Sequence, residues 1–166
     1  MRRLLIGSLA GLAATVPMTA AMVWMHRRLP EDEQYPLPPR QVTMNVAEAA
    51  GVVEREELGE PEKRAATLVA HFAYGAGVGA LYGPVASQLP LPPVVSGMAY
   101  GVAVWAGSYL GWLPAAGLLA PVTEHPARRT ALMIAAHLVW GASAGALVGL
   151  LEKEKKSSRR PDRRVR

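Results

Sequence analysis

The chain has 166 residues, a formal net charge of +5 and no cysteine, and 51% of its residues are hydrophobic. Every Asp, Glu, Lys and Arg lies outside three blocks, Leu4–Met25, Ala65–Thr123 and Thr130–Leu151. An uncharged apolar run of about 18 or more residues is typical of a membrane span. The charge distribution therefore excludes an ordinary soluble enzyme. The missing cysteine excludes disulfides and thiolate metal sites.

The first uncharged block predicts span 1 at about residues 4–25. A signal peptide also begins with a basic pair and an apolar stretch, but its apolar part is only about 7–15 residues long. Here the apolar run continues until His26, where Arg27 and Arg28 follow. We therefore predict that span 1 is a retained membrane anchor.

Residues 26–64 form the one long loop between the predicted spans. The proline-rich stretch Tyr35–Arg40 predicts an extended, stiff segment. Apolar residues then recur at helical spacing from Val42 to Val53, and Gly59 is the predicted end of that helix. Two interpretations stay open for this segment. It is either a short amphipathic helix that lies on the bilayer or caps the bundle, or a solvated acidic loop.

The middle block is about three times too long for a single helical span. Prolines at Pro90, Pro92 and Pro93 remove amide donors and prevent a helix from continuing. This predicts span 2 at about residues 65–88 and span 3 at about residues 94–113.

The last uncharged block predicts span 4 at about residues 130–151, followed by a basic tail over residues 152–166. The tail carries eight Lys and Arg residues against three acids. We predict that it is disordered, cytoplasmic and in contact with anionic lipids. A nucleic-acid partner is not predicted, because the tail has no aromatic residue on which a base could stack.

Spans 2 and 4 contain the same phrase, since His71–Gly83 and His137–Gly149 agree at seven positions. Spans 1 and 3 share a Gly-x-x-x-Gly motif that begins at Gly7 in one and at Gly97 in the other. We therefore predict an all-α membrane protein, a four-transmembrane-helix bundle built from two repeated helical hairpins. The copies should be related by an axis normal to the membrane.

Each repeated phrase carries a column of glycines four residues apart. Helices gain nothing from hydrophobic burial in lipid, so close backbone approach and dispersion must hold them together. We predict that these glycines set the helix contacts, and the same grooves could join copies into a homo-oligomer. The predicted packing residues are Gly75, Gly79 and Gly83 in span 2 and Gly141, Gly145 and Gly149 in span 4.

His71 and His137 stand four residues before the glycine columns, which predicts that both face the packed interior at matching depth. An ionisable residue inside a span is by default a functional hypothesis. Three interpretations stay open: neutral histidines bonded to neighbouring groups, a bis-histidine haem b site, and a path for protons or a small solute. Zinc is not predicted, because two nitrogens fall short of four ligands.

Enzyme motifs are missing from the sequence: there is no phosphate-binding loop, nucleophile elbow or His-Glu-x-x-His helix. We therefore predict a non-enzymatic protein without a cofactor, haem b being the alternative. Four spans place both termini on one side of the membrane. That side would carry ten Lys and Arg residues against eight on the other, which predicts cytoplasmic termini.

A resemblance to a known family follows from both ends of the chain. Pro36–Arg40, directly after span 1 and followed by Met44-Asn45, resembles the YagU-like family of bacterial inner-membrane proteins. The segment from His137 to Trp140, with a basic tail after it, is similar to that family's C-terminal end. The resemblance implies a multi-pass protein of the bacterial plasma (inner) membrane. It implies no established activity, cofactor or catalytic residue.

Overall fold

A computed structural model describes residues 1–52 and 58–158 of the chain. Within these ranges every regular element is helical and no strand occurs, so the prediction of an all-helical protein is confirmed. Three helices, α1, α3 and α6, are long and apolar enough to cross a membrane. The α-helices are α1 (Arg2–His26), α2 (Pro38–Ala49), α3 (Glu60–Ala86), α4 (Pro93–Ala106), α5 (Leu113–Ala115) and α6 (Ala127–Ser158).

The long helices extend beyond the uncharged blocks, because polar residues at their ends continue the helical hydrogen bonding. Helix α3 begins at Glu60, with Gly59 as its N-cap and Pro61 in its first turn. Proline is well suited to that turn, where an amide would have no partner. At the other end of the chain α6 continues to Ser158. Residues 152–158 of the predicted tail are helical, while residues 159–166 lie outside the described residues.

The loop between α1 and α3 contains α2, which differs from the prediction at both ends. The predicted extended stretch is wrong from Pro38 onward, because Pro38 and Pro39 form the first turn of the helix. The predicted helix end at Gly59 is also wrong. Helix α2 ends at Ala49, and Gly51 turns the chain with a φ of 64° that favours glycine. The last residue of the predicted pattern, Val53, lies outside the described residues.

The single helix predicted over residues 94–113 is interrupted. Helix α4 ends at Ala106, a π-helical turn covers Gly107–Trp112, and the three residues of α5 follow. Within the π turn Gly111 leaves helical geometry, with φ of −116° and ψ of −107°. Pro114 accounts for the break, because it has no amide to donate to the carbonyl one helical turn earlier.

Glycines bring α1 and α3 into backbone contact. A Cβ atom added at Gly79 would lie 2.5 Å from the carbonyl oxygen of Gly7. One added at Gly11 would lie 2.8 Å from the Cα of Gly79. Ordinary side chains do not fit at such separations, so this contact depends on glycine.

Helices α4 and α6 meet in the same way, while α1 also packs against α6. A Cβ at Gly97 would lie 2.9 Å from the Cα of Gly145, much as Gly11 approaches Gly79. Gly97 thus corresponds to Gly11. The predicted register, which matched Gly97 with Gly7, is wrong by four residues, about one turn of the helix.

Candidate functional site

A cavity of about 240 Å³ lies between the helices, on the side of the protein where α2 is found. Both predicted histidines, His71 of α3 and His137 of α6, are in its wall. Apolar side chains complete most of the lining. The other polar or aromatic side chains in the wall are Thr15, Thr43, Tyr74, Ser108, Tyr109, Trp112 and Trp140.

His137 is buried, with 6% of its surface exposed. Its Nδ1 lies 2.7 Å from the carbonyl oxygen of Met133, so Nδ1 carries the proton and donates it. The ring of Tyr109 stands edge-on to the imidazole at 5.9 Å between centroids. This bond leaves Nε2 as a hydrogen-bond acceptor in the neutral ring. His137 thus has a carbonyl partner, as the interpretation of neutral, hydrogen-bonded histidines expects, but this partner lies in its own helix.

His71 differs from His137 in its hydrogen bonding. Its Nε2 is buried and has no hydrogen-bond partner among the described residues. Within the part of the chain that the structure describes, its one ring contact is with Phe72, edge-on at 6.3 Å between centroids. A buried polar atom without a partner costs about 1–3 kcal/mol, so a ligand that hydrogen-bonds this atom would recover that free energy.

The π-helical turn supplies one wall of the cavity through Ser108, Tyr109 and Trp112. The hydroxyl of Tyr74 lies 2.8 Å from Oγ of Ser108 and ties α3 to the turn. Turns of this kind occur frequently at functional sites. Gly107, Gly111 and Pro114 are the sequence signal for this turn, but the same residues also fit the end of a span.

A column of aromatic side chains begins at the cavity wall. Trp140 is in the cavity wall and donates from Nε1 to the carbonyl of Gly11 at 3.1 Å. Tyr100 lies 6.2 Å from Trp140, and Tyr82 lies 5.0 Å from Tyr100, between ring centroids. The Tyr82 hydroxyl then pairs with Ser96 Oγ at 2.8 Å. Packed rings therefore extend from the cavity wall at Trp140 to Tyr82.

Helix α2 covers part of the cavity, and five of its residues line the wall: Pro38, Pro39, Val42, Thr43 and Val46. Arg40 forms an ion pair of 2.6 Å with Glu60, and this hydrogen bond raises the pKa of Arg40. Asn45 Nδ2 donates to the carbonyl of Leu118 at 2.8 Å. These contacts hold the covering helix to α3 and to the chain after α5.

Arg129 is a further important residue that sequence reasoning missed. It is 4% exposed, although it was counted only as a charge at the end of a span. Its guanidinium donates to the carbonyls of Glu33, Tyr35 and Pro36 at 2.5–2.9 Å and lies 3.5 Å from the centre of the Tyr35 ring. Arg129 thus fixes the segment that leads into α2.

The six predicted packing glycines all contact helices of the same chain. Gly75, Gly79 and Gly83 face α1, whereas Gly141, Gly145 and Gly149 face α4. Both grooves are therefore filled within the chain, and a homo-oligomer would have to use another surface. Of the six, Gly75 also forms part of the cavity wall.

Two further findings concern metal binding and the similarity of the chain to known proteins. Within residues 1–52 and 58–158, no group of three or more His, Cys, Asp or Glu side chains is placed to hold a metal ion. The chain matches no protein-family model, no curated protein and no solved structure.

Proposed function

We propose that the protein is a multi-pass membrane protein without enzymatic activity that binds a small, mostly apolar molecule in the cavity between α3 and α6. The unpartnered Nε2 of His71 is the observation that carries this proposal. A buried hydrogen-bonding atom in the wall of a mostly apolar cavity favours a ligand with one matching polar group. The second histidine, with its acceptor Nε2, and the Tyr74–Ser108 pair give such a group further partners.

The size of the cavity restricts the ligand. Its volume of about 240 Å³ lies below the roughly 300–1,000 Å³ of pockets that hold drug-sized molecules. An apolar cavity of about 150 Å³ already accepts a benzene-sized molecule. The aromatic walls from Tyr74, Tyr109, Trp112 and Trp140 are suited to stacking. We infer a ligand with a single ring, or an aliphatic group of similar size, that bears one hydroxyl, carbonyl or amine.

The membrane architecture that we propose has four spans in two hairpins, α1 with α3 and α4 with α6. Span 3 consists of α4 and the π-helical turn, which lie within the uncharged block Ala65–Thr123. An irregular turn is tolerated at membrane depth where it lines a cavity. We further propose cytoplasmic termini, a bacterial inner-membrane location, contact of the basic tail with anionic lipids, and membership of the YagU-like family.

A bis-histidine haem b is the second candidate, because two histidines from different helices line one cavity. Its volume disfavours haem, since a porphyrin would have to spread the packed helices. A path for protons or solutes through the protein is disfavoured by the aromatic column from Trp140 to Tyr82. A Soret band in the purified protein would establish the haem alternative, and its absence would remove it.

The proposal is tested with p-cresol, a single ring with one hydroxyl. Ala70 is in the cavity wall, whereas Ala73 on the same helix is exposed and outside it. We expect p-cresol to raise the melting temperature of the detergent-purified protein. In Ala70→Phe the same rise in melting temperature should need at least about tenfold more p-cresol, because the new ring fills the cavity. The matched variant Ala73→Phe should behave like the wild type. Equal responses of both variants would refute the proposal.

A further inference from the structure

A second concavity, a groove of about 820 Å³, runs along the outside of α1 where it meets α3. Val16, Ala20 and Val23 of α1 and Leu68 of α3 form its apolar part, and Arg27 and Arg28 lie at one end. We propose that this groove binds one anionic phospholipid, with an acyl chain along the apolar part and the phosphate at the arginines. The inference rests on the proposal that α1 and α3 span a membrane, and it does not depend on the interior cavity.

The length of the groove fits a single lipid leaflet. Val16 and Arg27 are both in its lining, and along a helix they are separated by about 16 Å at 1.5 Å per residue. Half of the roughly 30 Å hydrocarbon core is about 15 Å. An acyl chain whose headgroup is at Arg27 would therefore end near Val16.

The chemistry of the mouth fits a phosphate. Arg28 is held in place, since its guanidinium lies 3.6 Å from the centre of the Trp24 ring and donates to the Trp24 carbonyl at 2.9 Å. The Arg27 guanidinium has no hydrogen-bond or ion-pair partner among the described residues, and no carboxylate is in the described lining of the groove. A guanidinium binds phosphate through a fork of parallel N–H donors. The acidic residues Glu31–Glu33 follow closely in sequence but are not in the lining.

A tryptophan beside two arginines also places this end of α1 at a membrane surface. Trp24 is 57% exposed, and tryptophan is enriched where lipid headgroups begin. The headgroup level and the basic end of the groove therefore coincide. This favours a lipid over a soluble phosphate compound.

The test compares phosphatidylglycerol with phosphatidylcholine of identical acyl chains, bound to the detergent-purified full chain and counted by native mass spectrometry. We expect phosphatidylglycerol to bind more tightly. Replacing either arginine should weaken the binding of phosphatidylglycerol about fivefold. The double variant Arg27→Gln with Arg28→Gln should then bind the two lipids equally. Arg128→Gln is the matched control, because Arg128 is exposed and lies outside the groove. Equal binding of the two lipids, or an unchanged preference in the double variant, would overturn the proposal.

A second pair of variants tests the apolar part. Ala20→Phe fills the groove and should lower binding of both lipids, whereas Leu9→Phe alters an exposed α1 position outside it. Inorganic phosphate at millimolar concentration should not displace the lipid. If it does, or if Ala20→Phe leaves lipid binding unchanged, the groove is not a phospholipid site. Binding of p-cresol, measured on the same samples, reports separately on the interior cavity.

Discussion

His71 and His137 occupy equivalent places in the repeated phrase, yet their hydrogen bonding differs. His137 donates to Met133, while the Nε2 of His71 has no partner among the described residues. An imidazole that only stabilises the fold is expected to be bonded on at least one buried side. This difference indicates that the Nε2 of His71 can form a hydrogen bond to a ligand.

Replacing each histidine by leucine separates the two roles. We expect His71→Leu to keep or raise the melting temperature, because an apolar side chain removes an unpaired polar atom. His137→Leu should lower the free energy of unfolding by about 1 kcal/mol through loss of the bond to Met133. Thermal unfolding in detergent measures both. A loss of more than about 1 kcal/mol in His71→Leu would show that its ring supports the fold instead.

Arg129 holds the chain between α1 and α2 through three carbonyls and the ring of Tyr35. We expect Arg129→Ala to cost about 3 kcal/mol, since it leaves three partly buried carbonyls without their charged donor. Arg129→Lys should recover only part of the lost stability, because an ammonium group lacks the planar fork of N–H donors of a guanidinium. Arg128→Ala is the control and should change stability by less than about 0.5 kcal/mol. Similar unfolding temperatures for the Arg129 and Arg128 variants would contradict this role.

At the scale of the helix, a single added methyl group distinguishes packed from open glycines. A Cβ at Gly79 would lie 2.5 Å from the oxygen of Gly7, whereas nothing lies within 4 Å of one at Gly77. We expect Gly79→Ala to destabilise the protein. Gly77→Ala should stabilise it by up to about 1 kcal/mol, through helix propensity alone. Circular dichroism during heating gives both values. If the two variants shift the melting temperature in the same direction, α1 and α3 do not meet as described.

The elements show which features a sequence can predict. Spans 1, 2 and 4 correspond to long helices because charge is excluded from hydrocarbon and leaves uncharged blocks. The interruption after Ala106 was not predicted, since glycine and proline near the end of a span also occur where helices simply stop. The start of α2 at Pro38 was missed because the same prolines suit an extended segment or a first helical turn.

The candidate site was predictable only in part. The repeat located both histidines, because their spacing from the glycine columns places them on an inward face. The cavity between them also depends on the π-helical turn and on α2, whose positions are set by tertiary contacts. Arg129 had no sequence signal, since its partners are backbone carbonyls that any residue types could supply.

The proposed four spans predict from which side of the membrane single introduced cysteines can be labelled. The chain has no cysteine, so single cysteines can be introduced without background. We expect Gln34→Cys and Thr123→Cys to react with an impermeant maleimide from the outside, and Gln88→Cys only from the cytoplasmic side. All three positions are exposed. Labelling of Thr123→Cys from the cytoplasmic side would show that α4 does not cross the membrane, and labelling of Gln34→Cys from that side would reverse the orientation.

We propose that the cavity binds a small molecule through a hydrogen bond to His71, and the hydroxyl group of p-cresol probes this bond. Toluene differs from p-cresol only in lacking that hydroxyl and should fill the same space. By the melting-temperature shift, we expect wild-type protein to bind p-cresol about fivefold or more tightly than toluene, the value of one hydrogen bond. His71→Leu should bind both equally. A preference for p-cresol that persists in His71→Leu, or no binding of either compound to the wild type, would contradict the account.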